Sequence, residues 1–208
     1  MVGLAALLDR IERGGRLPTD PWRSLVPAPA PDTAAVVAFP DHVVVAADVD
    51  EPWVRERLPD GDLSAPLNPP FLGALAERLG RRVNCIDGLY LAPAVEGPPD
   101  LPLRDAPDLD HPRVRRARRY RPRVRVWVVD GGVLVLGQGL AGRWEVAVEV
   151  DPTHRGRGLG RSLASAARHL VPEHRPVWAQ VSPGNAASVR AFLAAGYRPV
   201  GAEALLVP

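Results

Sequence analysis

The sequence predicts a protein of the mixed α/β class, in which helices flank a sheet of parallel and antiparallel strands. The main observation is an apolar strand at 144–150 that runs into a glycine-rich turn, after which leucine and alanine residues recur at helical spacing from 159 to 170. A second observation is the turn Asp130-Gly131-Gly132, which separates two apolar runs and is typical of a β-hairpin. From residue 124 onward the predicted order is strand, strand, strand, helix, strand, helix, strand.

The N-terminal part of the chain is predicted to alternate between short helices and β-rich runs. In order, the segments are a helix at 4–13, a proline-rich connector at 18–31, β-rich runs at 34–39 and 42–47, helices at 51–58 and 70–79, and a weaker strand at 82–91. Gly14 and Gly80 end the first and third helices, and Asp50 is placed to cap the second. The segment 93–107 reads as a linker or long surface loop, and we expect an α+β region of unknown role at 1–95 and a second domain at 96–208.

The C-terminal part begins with a basic helix candidate at 110–120, which stops before Pro122. The strands expected after it lie at 124–129, 133–136, 144–150, 176–181 and 202–207. Asn185 is a good cap for a helix at 186–195, which Gly196 ends. The glycine-rich segment at 137–142 spells a dinucleotide-binding fingerprint, but it leads into a strand and not into a helix. We therefore interpret it as a loose hairpin.

The turn after the strand at 144–150 has the features of an anion site. Gly156, Gly158 and Gly160 allow the backbone to approach a ligand closely, and the first amides of the following helix have no partner within it. Arginines at 155, 157 and 161 add positive charge to that end of the helix. A nucleoside-triphosphate P-loop is excluded, because Arg161 stands where that motif needs Lys and Arg155 where it needs its first glycine.

Two motifs in this part of the chain resemble the acyl-CoA signature of the GNAT superfamily of N-acyltransferases. The first is Arg155-x-x-Gly158-x-Gly160 after a Val-x-Val-x-Pro strand, and the second is Asn185-Ala186-Ala187-Ser188 followed by Phe192 and Gly196-Tyr197. The resemblance covers residues 124–207 and hardly touches the first hundred. It implies a GNAT fold with an additional N-terminal α+β region, and the hairpin at 34–47 leaves open that this region is a degenerate second copy of the fold.

The resemblance also implies a ligand. In the family, the strands matched by 148–150 and 177–181 splay apart, the pantetheine arm of acetyl-CoA fills the gap, and the amides at 156–161 hold the pyrophosphate. The residues expected to bind this co-substrate are Val148, Glu149, Val150, Arg155, Gly156, Arg157, Gly158, Leu159, Gly160, Arg161, Asn185 and Ser188. The acyl group then passes directly to an amine of a small molecule or protein that the sequence does not identify, and no metal is expected.

The acid and the base of such a reaction are not evident from the motifs. Some members of the family carry a Glu base and a Tyr acid at the positions of Gln180 and Phe192, which cannot titrate. Glu145 and Glu149, on one face of the strand at 144–150, are the remaining candidates for the base, and the competing interpretation is that both are solvated or salt-bridged. The absent pair also raises a second hypothesis, a CoA-binding regulatory module that has lost catalysis.

The composition indicates the cellular compartment of the protein and the kind of genome that encodes it. The 208 residues contain one cysteine, Cys85, which excludes an internal disulfide framework and fits a reducing cytosol. No apolar run approaches the roughly 20 residues of a membrane span, so we expect a cytoplasmic protein without membrane contact. All 26 basic residues are arginine, and together with abundant alanine, proline, valine and glycine this favours a GC-rich bacterial genome.

Eight arginines between 113 and 125 form a strongly basic stretch. Such a stretch is typical of nucleic-acid binding, of a solvated helix face, or of a surface for an acidic substrate or segment. Only Tyr120 and Trp127 accompany the arginines, too few for a base-stacking platform, so nucleic acid is disfavoured as a partner. The sequence leaves the formation of a homodimer open.

Overall fold

The computed structural model describes residues 2–208, which form helices and strands in the predicted mixed α/β class. The helices are α1 (Leu4–Glu12), α2 (Glu51–Arg55), α3 (Pro69–Leu79), α4 (Pro112–Tyr120), α5 (Leu159–Leu170) and α6 (Ala186–Ala194). The strands are β1 (Arg23–Val26), β2 (Ala34–Phe39), β3 (His42–Ala46), β4 (Arg82–Ala92), β5 (Arg104–Asp105), β6 (Arg125–Val129), β7 (Gly132–Gln138), β8 (Trp144–Val150), β9 (Val177–Val181) and β10 (Arg198–Val207). The chain divides into two units, one containing the residues up to Gly88 together with Val200–Pro208, and the other containing Leu89–Pro199.

The first unit is built on the valine-rich hairpin of β2 and β3. The two strands are antiparallel, with Val36 opposite Val45, and Asp41 makes the turn between them at a φ of +62°. β10 pairs with β2 in antiparallel, with Ala204 opposite Val36, and β1 pairs with β3 in parallel. Because the hairpin is buried on both faces, its strands read as nearly continuous apolar runs instead of alternating ones.

α3 packs against one face of this hairpin. Its residues Phe71, Leu72 and Leu75 share a core with alternate residues of β2 and β3. Gly80 ends the helix in the left-handed conformation at a φ of +61°, as predicted. α2 is shorter than the predicted helix at 51–58, and the Asp50 side chain makes no capping hydrogen bond to it.

The second unit contains a mixed sheet with the strand order β9-β8-β7-β6-β5. β8 pairs with β7 in antiparallel along its whole length and with β9 in parallel. β6 and β7 form the hairpin predicted around Asp130-Gly131-Gly132, and the two-residue β5 pairs with β6 at the edge. The succession of β6, β7, β8, α5, β9 and α6 is the order predicted from the sequence.

Helices cover both faces of this sheet. α5 buries Leu163 in a core that also contains Leu134 of β7 and residues of α6, whereas α4 buries Val114 against Val135 of β7. Since neighbouring residues of a strand point to opposite faces, α5 and α6 lie on one side and α4 on the other. On β8 the same alternation directs Val146 and the other even-numbered residues towards α5 and α6, and the odd-numbered residues towards α4.

Two predicted segments differ from the structure, and for a third the structure decides between the two predicted alternatives. The connector at 18–31 contains β1, because parallel pairing with β3 orders a short segment that has no clear β pattern of its own. The segment 93–107 lies within the second unit as a loop that contains the two-residue β5, and its Val95 N–H donates to the Arg168 carbonyl oxygen, in agreement with the loop alternative of the prediction. The final strand, expected within 96–208, pairs with β2 in the first unit, and the units divide at Gly88 instead of at the predicted boundary after residue 95.

Candidate functional site

The glycine-rich turn between β8 and α5 forms a tight loop. After a short 3-10 turn at Pro152–His154, Gly156 and Gly158 take positive φ values of +76° and +85°, where a side chain would be strained. Gly158 is the N-cap of α5, and its carbonyl oxygen accepts from the Ser162 N–H at 3.1 Å. The amides just ahead of Ser162 therefore have no partner within the helix and point out of its N-terminal end.

The same end of α5 carries a concentration of positive charge. Arg155, Arg157 and Arg161 are all exposed around the turn, and the helix dipole adds partial positive charge there. Arg155 Nε also donates to the Val150 carbonyl oxygen at 3.1 Å, which ties the turn to the end of β8. Free amide donors beside guanidinium groups are the combination that suits a phosphate or diphosphate. The structure thus brings the predicted residues 155–161 together at one helix end.

The turn between β6 and β7 packs against this glycine-rich turn. Gly131, at a φ of +69°, lies against the His154 ring so closely that an added Cβ would come within 2.2 Å of the ring Cγ. His154 Nε2 lies 3.4 Å from an Asp130 carboxylate oxygen, and the Asp151 N–H donates to the Gly131 carbonyl oxygen at 2.9 Å. His154 is therefore a packing element of the turn, and Gly131 is required because no side chain fits beneath its ring.

β8 and β9 pair over only part of their length. The parallel register joins Trp144 to Val177, Glu145 to Trp178 and Val146 to Ala179. β8 continues to Val150, which is still paired with Gly132 of β7. Within the described residues, β8 is thus paired on its β7 side alone from 147 to 150. An opening between the strands at this place is the feature that the resemblance predicted, and backbone groups along its edges can pair with a bound molecule.

Glu145 lies in a buried ion cluster at the closed end of this opening. The residue is 2% exposed, and its carboxylate contacts Arg121 Nη2 at 2.7 Å and Arg143 Nε at 2.8 Å, while the Leu140 N–H donates to it at 3.2 Å. Burial by itself raises the pKa of Glu145, but the two guanidinium charges and the hydrogen bonds hold the pKa below its ordinary value. A carboxylate kept ionised between two arginines is a poor proton acceptor, so the geometry favours the salt-bridged interpretation for Glu145.

Glu149 lies in the open part of β8, on the same face as Glu145. Its side chain is 36% exposed, and its Oε2 accepts from Arg113 Nε of α4 at 2.9 Å. A partly exposed ion pair of this kind is worth little free energy and is opened at small cost. Of the two predicted carboxylates, Glu149 is the one that is partly exposed to solvent.

The residues predicted around α6 are capping and core residues in the structure. Asn185 Oδ1 accepts from the Ser188 N–H at 3.1 Å, which confirms the predicted cap, whereas contact of either residue with a ligand stays a prediction. Phe192 is buried with its ring centroid 4.9 Å from that of Tyr197, whose hydroxyl donates to the Ala164 carbonyl oxygen at 3.1 Å. Phe192 has no titratable proton, and burial raises the pKa of Tyr197, which makes its hydroxyl a weaker acid. Neither aromatic residue is therefore suited to protonate a leaving group.

The arginines that organise this site were not predicted from the sequence. Arg121 Nη2 donates to Gln180 Oε1 of β9 at 3.1 Å, and the Arg143 guanidinium lies 5.1 Å from the centroid of the Trp178 ring. In the sequence Arg121 is one of eight arginines in a basic stretch, and their spacing does not separate it from the others. The only signal is Pro122, which ends the helix and whose carbonyl oxygen accepts from β7, so that the chain turns back to the sheet at this point.

Metal-ligating side chains are dispersed over the fold. Among residues 2–208, no group of three or more His, Cys, Asp or Glu side chains is placed to hold a metal ion. Over the same range, none of the helices combines the length and the apolar character that crossing a membrane requires.

Part of the second unit matches a known protein family. Residues 102–197 match the model of the Acetyltransferase (GNAT) family. These residues therefore match a GNAT acetyltransferase domain, which confirms the family recognised from the motifs. All of the predicted site residues lie within the matched range. The comparison with curated proteins gives no match.

Solved structures of GNAT proteins give likenesses of low sequence identity. The GCN5-related N-acetyltransferase from Sphaerobacter thermophilus is 17% identical with a TM-score of 0.41, covering 64% of this chain and 54% of that one. The GCN5-related N-acetyltransferase from Kribbella flavida is 19% identical with a TM-score of 0.42, covering 66% and 63%. A tandem GNAT protein from the clavulanic acid biosynthesis pathway is 17% identical with a TM-score of 0.42, covering 85% and 63%. The chain thus spans from about half to just under two thirds of these proteins, and the family assignment rests on the match at 102–197.

Proposed function

We propose that the domain at 102–197 binds an acyl-CoA, with acetyl-CoA as the first candidate, and transfers the acyl group directly to an amine. The observation that carries this proposal is the end of β8–β9 pairing at Val146 and Ala179, on the strand that leads into the glycine turn at 155–161. An extended ligand lying in that opening would place its anionic end at the N-terminus of α5. Membership of this range in the GNAT family supports the same reading.

In this proposal the turn and the strand edges hold different parts of the substrate. The N–H groups at 156–161 and the three arginines of the turn bind the diphosphate. The backbone of 148–150, which has no β9 partner, pairs with the amide-bearing arm in the manner of an added strand. Asn185 and Ser188, at the start of α6, flank that arm. Holding the thioester and the amine in line provides much of the rate enhancement in such a transfer.

Glu149 is the group that we propose as acceptor of the amine proton, directly or through water. It lies on the unpaired part of β8 and has one partly exposed partner, Arg113. The variant Glu149→Gln keeps the shape of the side chain and is expected to transfer acyl groups about a hundredfold more slowly, with an altered pH profile. Glu173→Gln, which removes an exposed carboxylate paired with Arg123, is the matched control. An unchanged rate and profile in Glu149→Gln would exclude it as the base.

Calorimetry with CoA and with acetyl-CoA tests the binding step. Gly158→Ala is expected to weaken both, because a φ of +85° at the start of α5 is unfavourable for any residue with a side chain. Gly73→Ala, in α3, is the control, since an added Cβ there has no atom within 4 Å. Release of the CoA thiol from acetyl-CoA, measured with a panel of amines, then tests transfer. A wild-type protein that takes up neither CoA nor acetyl-CoA would overturn the proposal.

A second candidate function is a CoA-binding regulatory module without catalysis. The observation that favours it is the state of the two positions that some relatives use for acid and base: Gln180 is hydrogen-bonded to Arg121, and Phe192 is buried in the core. CoA binding without thiol release across the whole panel of amines would support this candidate. Thiol release that depends on the amine would exclude it.

We propose that the arginines at 113–125 are in part ion-paired and do not form a nucleic-acid site. Four of the eight contact carboxylates, namely Arg113, Arg115, Arg121 and Arg123. Of the two aromatic residues near the stretch, Trp127 is buried and only Tyr120 is exposed. We expect no mobility shift with DNA or RNA at about 150 mM salt, and strongly salt-dependent binding would contradict the proposal.

A further inference from the structure

We infer that Arg121 is a positioning residue that fixes the opening between β8 and β9. Its Nη2 lies 2.7 Å from Glu145 Oε2 on β8 and 3.1 Å from Gln180 Oε1 on β9. Glu145 is inside the paired register, and Gln180 directly follows Ala179, the last paired residue of β9. One guanidinium therefore joins the two strands at the point where their backbone pairing ends.

Arg121 is held firmly at its backbone and along its side chain. Its N–H donates to the Ala117 carbonyl oxygen at 2.8 Å, which fixes it to the end of α4. Its stem packs on Gly137, where an added Cβ would lie 3.1 Å from Arg121 Cβ. At the far end, Arg143 Nε holds the other oxygen of Glu145 at 2.8 Å. Because the Arg121 side chain is only 15% exposed and so constrained, its planar group can set a distance between its partners.

This cluster also accounts for the glycine-rich segment at 137–142, which has the spacing of a nucleotide fingerprint but opens no α-helix. An added Cβ at Gly139 would lie 2.1 Å from the carboxyl carbon of Glu145, and one at Gly137 would crowd the stem of Arg121. The Leu140 N–H from the same segment donates to Glu145 at 3.2 Å. The glycines therefore make room for the buried ion cluster, which gives the segment a role that no nucleotide needs to explain.

Beyond the paired register, side chains must set the distance between the two strands. A guanidinium bonded to both strands does so within the narrow tolerance of hydrogen-bond lengths. The turn at 155–161 is braced separately, through Gly131 and His154. Loss of Arg121 should therefore affect a ligand group that enters the opening and spare a group held by the turn. This inference rests on the proposed function, in which the arm of CoA occupies the opening.

The test compares Arg121→Gln with Arg119→Gln, whose exposed guanidinium lies over Tyr120 on the same helix. Calorimetry measures the binding of CoA and of ADP, which carries a diphosphate but no pantetheine arm. We expect Arg121→Gln to bind CoA about tenfold more weakly and ADP as the wild type does, because a charge-assisted contact is lost only at the opening. Arg121→Lys keeps the charge without the planar guanidinium, and its affinity for CoA should lie between those of the wild type and Arg121→Gln. Arg119→Gln should bind both ligands as the wild type does.

Gln180→Ala removes the β9 end of the bridge without leaving a buried charge unpaired, and it carries the test if Arg121→Gln does not fold. It should also weaken CoA binding and leave ADP binding unchanged. Equal losses for CoA and ADP in a folded variant would indicate a general structural role and overturn the inference. Unchanged CoA binding in the folded Arg121 and Gln180 variants would overturn it as well. A wild type that binds no CoA would instead overturn the proposed function itself, and the inference with it.

Discussion

Replacement of Glu145 by glutamine should greatly lower the free energy of unfolding, and the size of this loss follows from the buried ion cluster. Glu145→Gln keeps the shape of the side chain but leaves Arg121 and Arg143, whose side chains are 15% and 1% exposed, without their shared counter-ion. Breaking a buried ion pair by removal of one partner costs about 3–5 kcal/mol. A domain has a total free energy of unfolding of about 5–15 kcal/mol, so the variant should lose about a fifth or more of its stability.

Urea denaturation followed by tryptophan fluorescence measures this loss, and hydrogen exchange along β8 locates it in the second unit. The matched control is Glu149→Gln, on the same face of the same strand, because its partly exposed ion pair with Arg113 is worth at most about 1 kcal/mol. The lowered pKa of Glu145 means that its contribution is present above the ordinary glutamate pKa of about 4.3 and is lost as the pH falls through its folded-state pKa. The difference between wild type and Glu145→Gln should therefore shrink in acid. A loss no larger than that of Glu149→Gln at neutral pH would refute this reasoning.

Two further predictions concern a buried histidine and a crowded glycine. His42 is 0% exposed; its Nδ1–H donates to the Pro18 carbonyl oxygen at 2.7 Å, and its Nε2 accepts from the Ser24 hydroxyl at 2.9 Å. Burial lowers the pKa of His42, so its contribution to the free energy of unfolding should be fully present above about pH 6.5 and should decline as the pH falls below that value. Urea denaturation at several pH values should show a smaller decline in His42→Gln. Gly131→Ala should displace the His154 ring and lower the free energy of unfolding by about 2 kcal/mol, because it adds both backbone strain and a collision.

Each of these two predictions has a control in the chain. Gly97→Ala also places a side chain at positive φ, but with no atom within 4 Å of the new Cβ, so it measures strain without collision. His169→Gln removes a histidine that is not buried and should leave the pH slope unchanged. Equal costs at Gly97 and Gly131 would contradict the collision with His154, and a full slope in His42→Gln would contradict the assignment to that residue.

The features that could be predicted from the sequence depend on one or two residues with special backbone conformations. Gly80 ends α3, Asn185 caps α6, and Asp130-Gly131-Gly132 turns between β6 and β7, each as predicted. The glycine turn before α5 is of the same kind, since its positive φ values follow from local chemistry. Such features carry their signal within a few residues, and that is why the matched part of the fold could be recognised.

Features that depend on distant partners could not be predicted in this way. β1 has only a short polar and apolar mixture, and its parallel pairing with β3 is visible only in the fold. β10 reads as an ordinary closing strand, yet its partner is β2 near the other end of the chain. Arg121 is equally hidden, because its two contacts lie on different strands and neither is at a helical or strand spacing from it. Burial and counter-charge, which decide such contacts, are properties of the assembled core.

The end of β8–β9 pairing distinguishes the environments of Glu145 and Glu149, which were equal candidates for the base in the sequence. Glu145 and Glu149 share a face and lie about 13 Å apart along the strand, and pairing stops at Val146, between them. In the closed part burial requires counter-ions, so a proton could reach Glu145 only if the carboxylate gave up two arginine contacts. In the open part Glu149 needs to release only one partly exposed contact. We therefore expect the two substitutions to have separate effects. Glu145→Gln should lower the free energy of unfolding more than it lowers the transfer rate. Glu149→Gln should lower the transfer rate and leave the free energy of unfolding nearly unchanged.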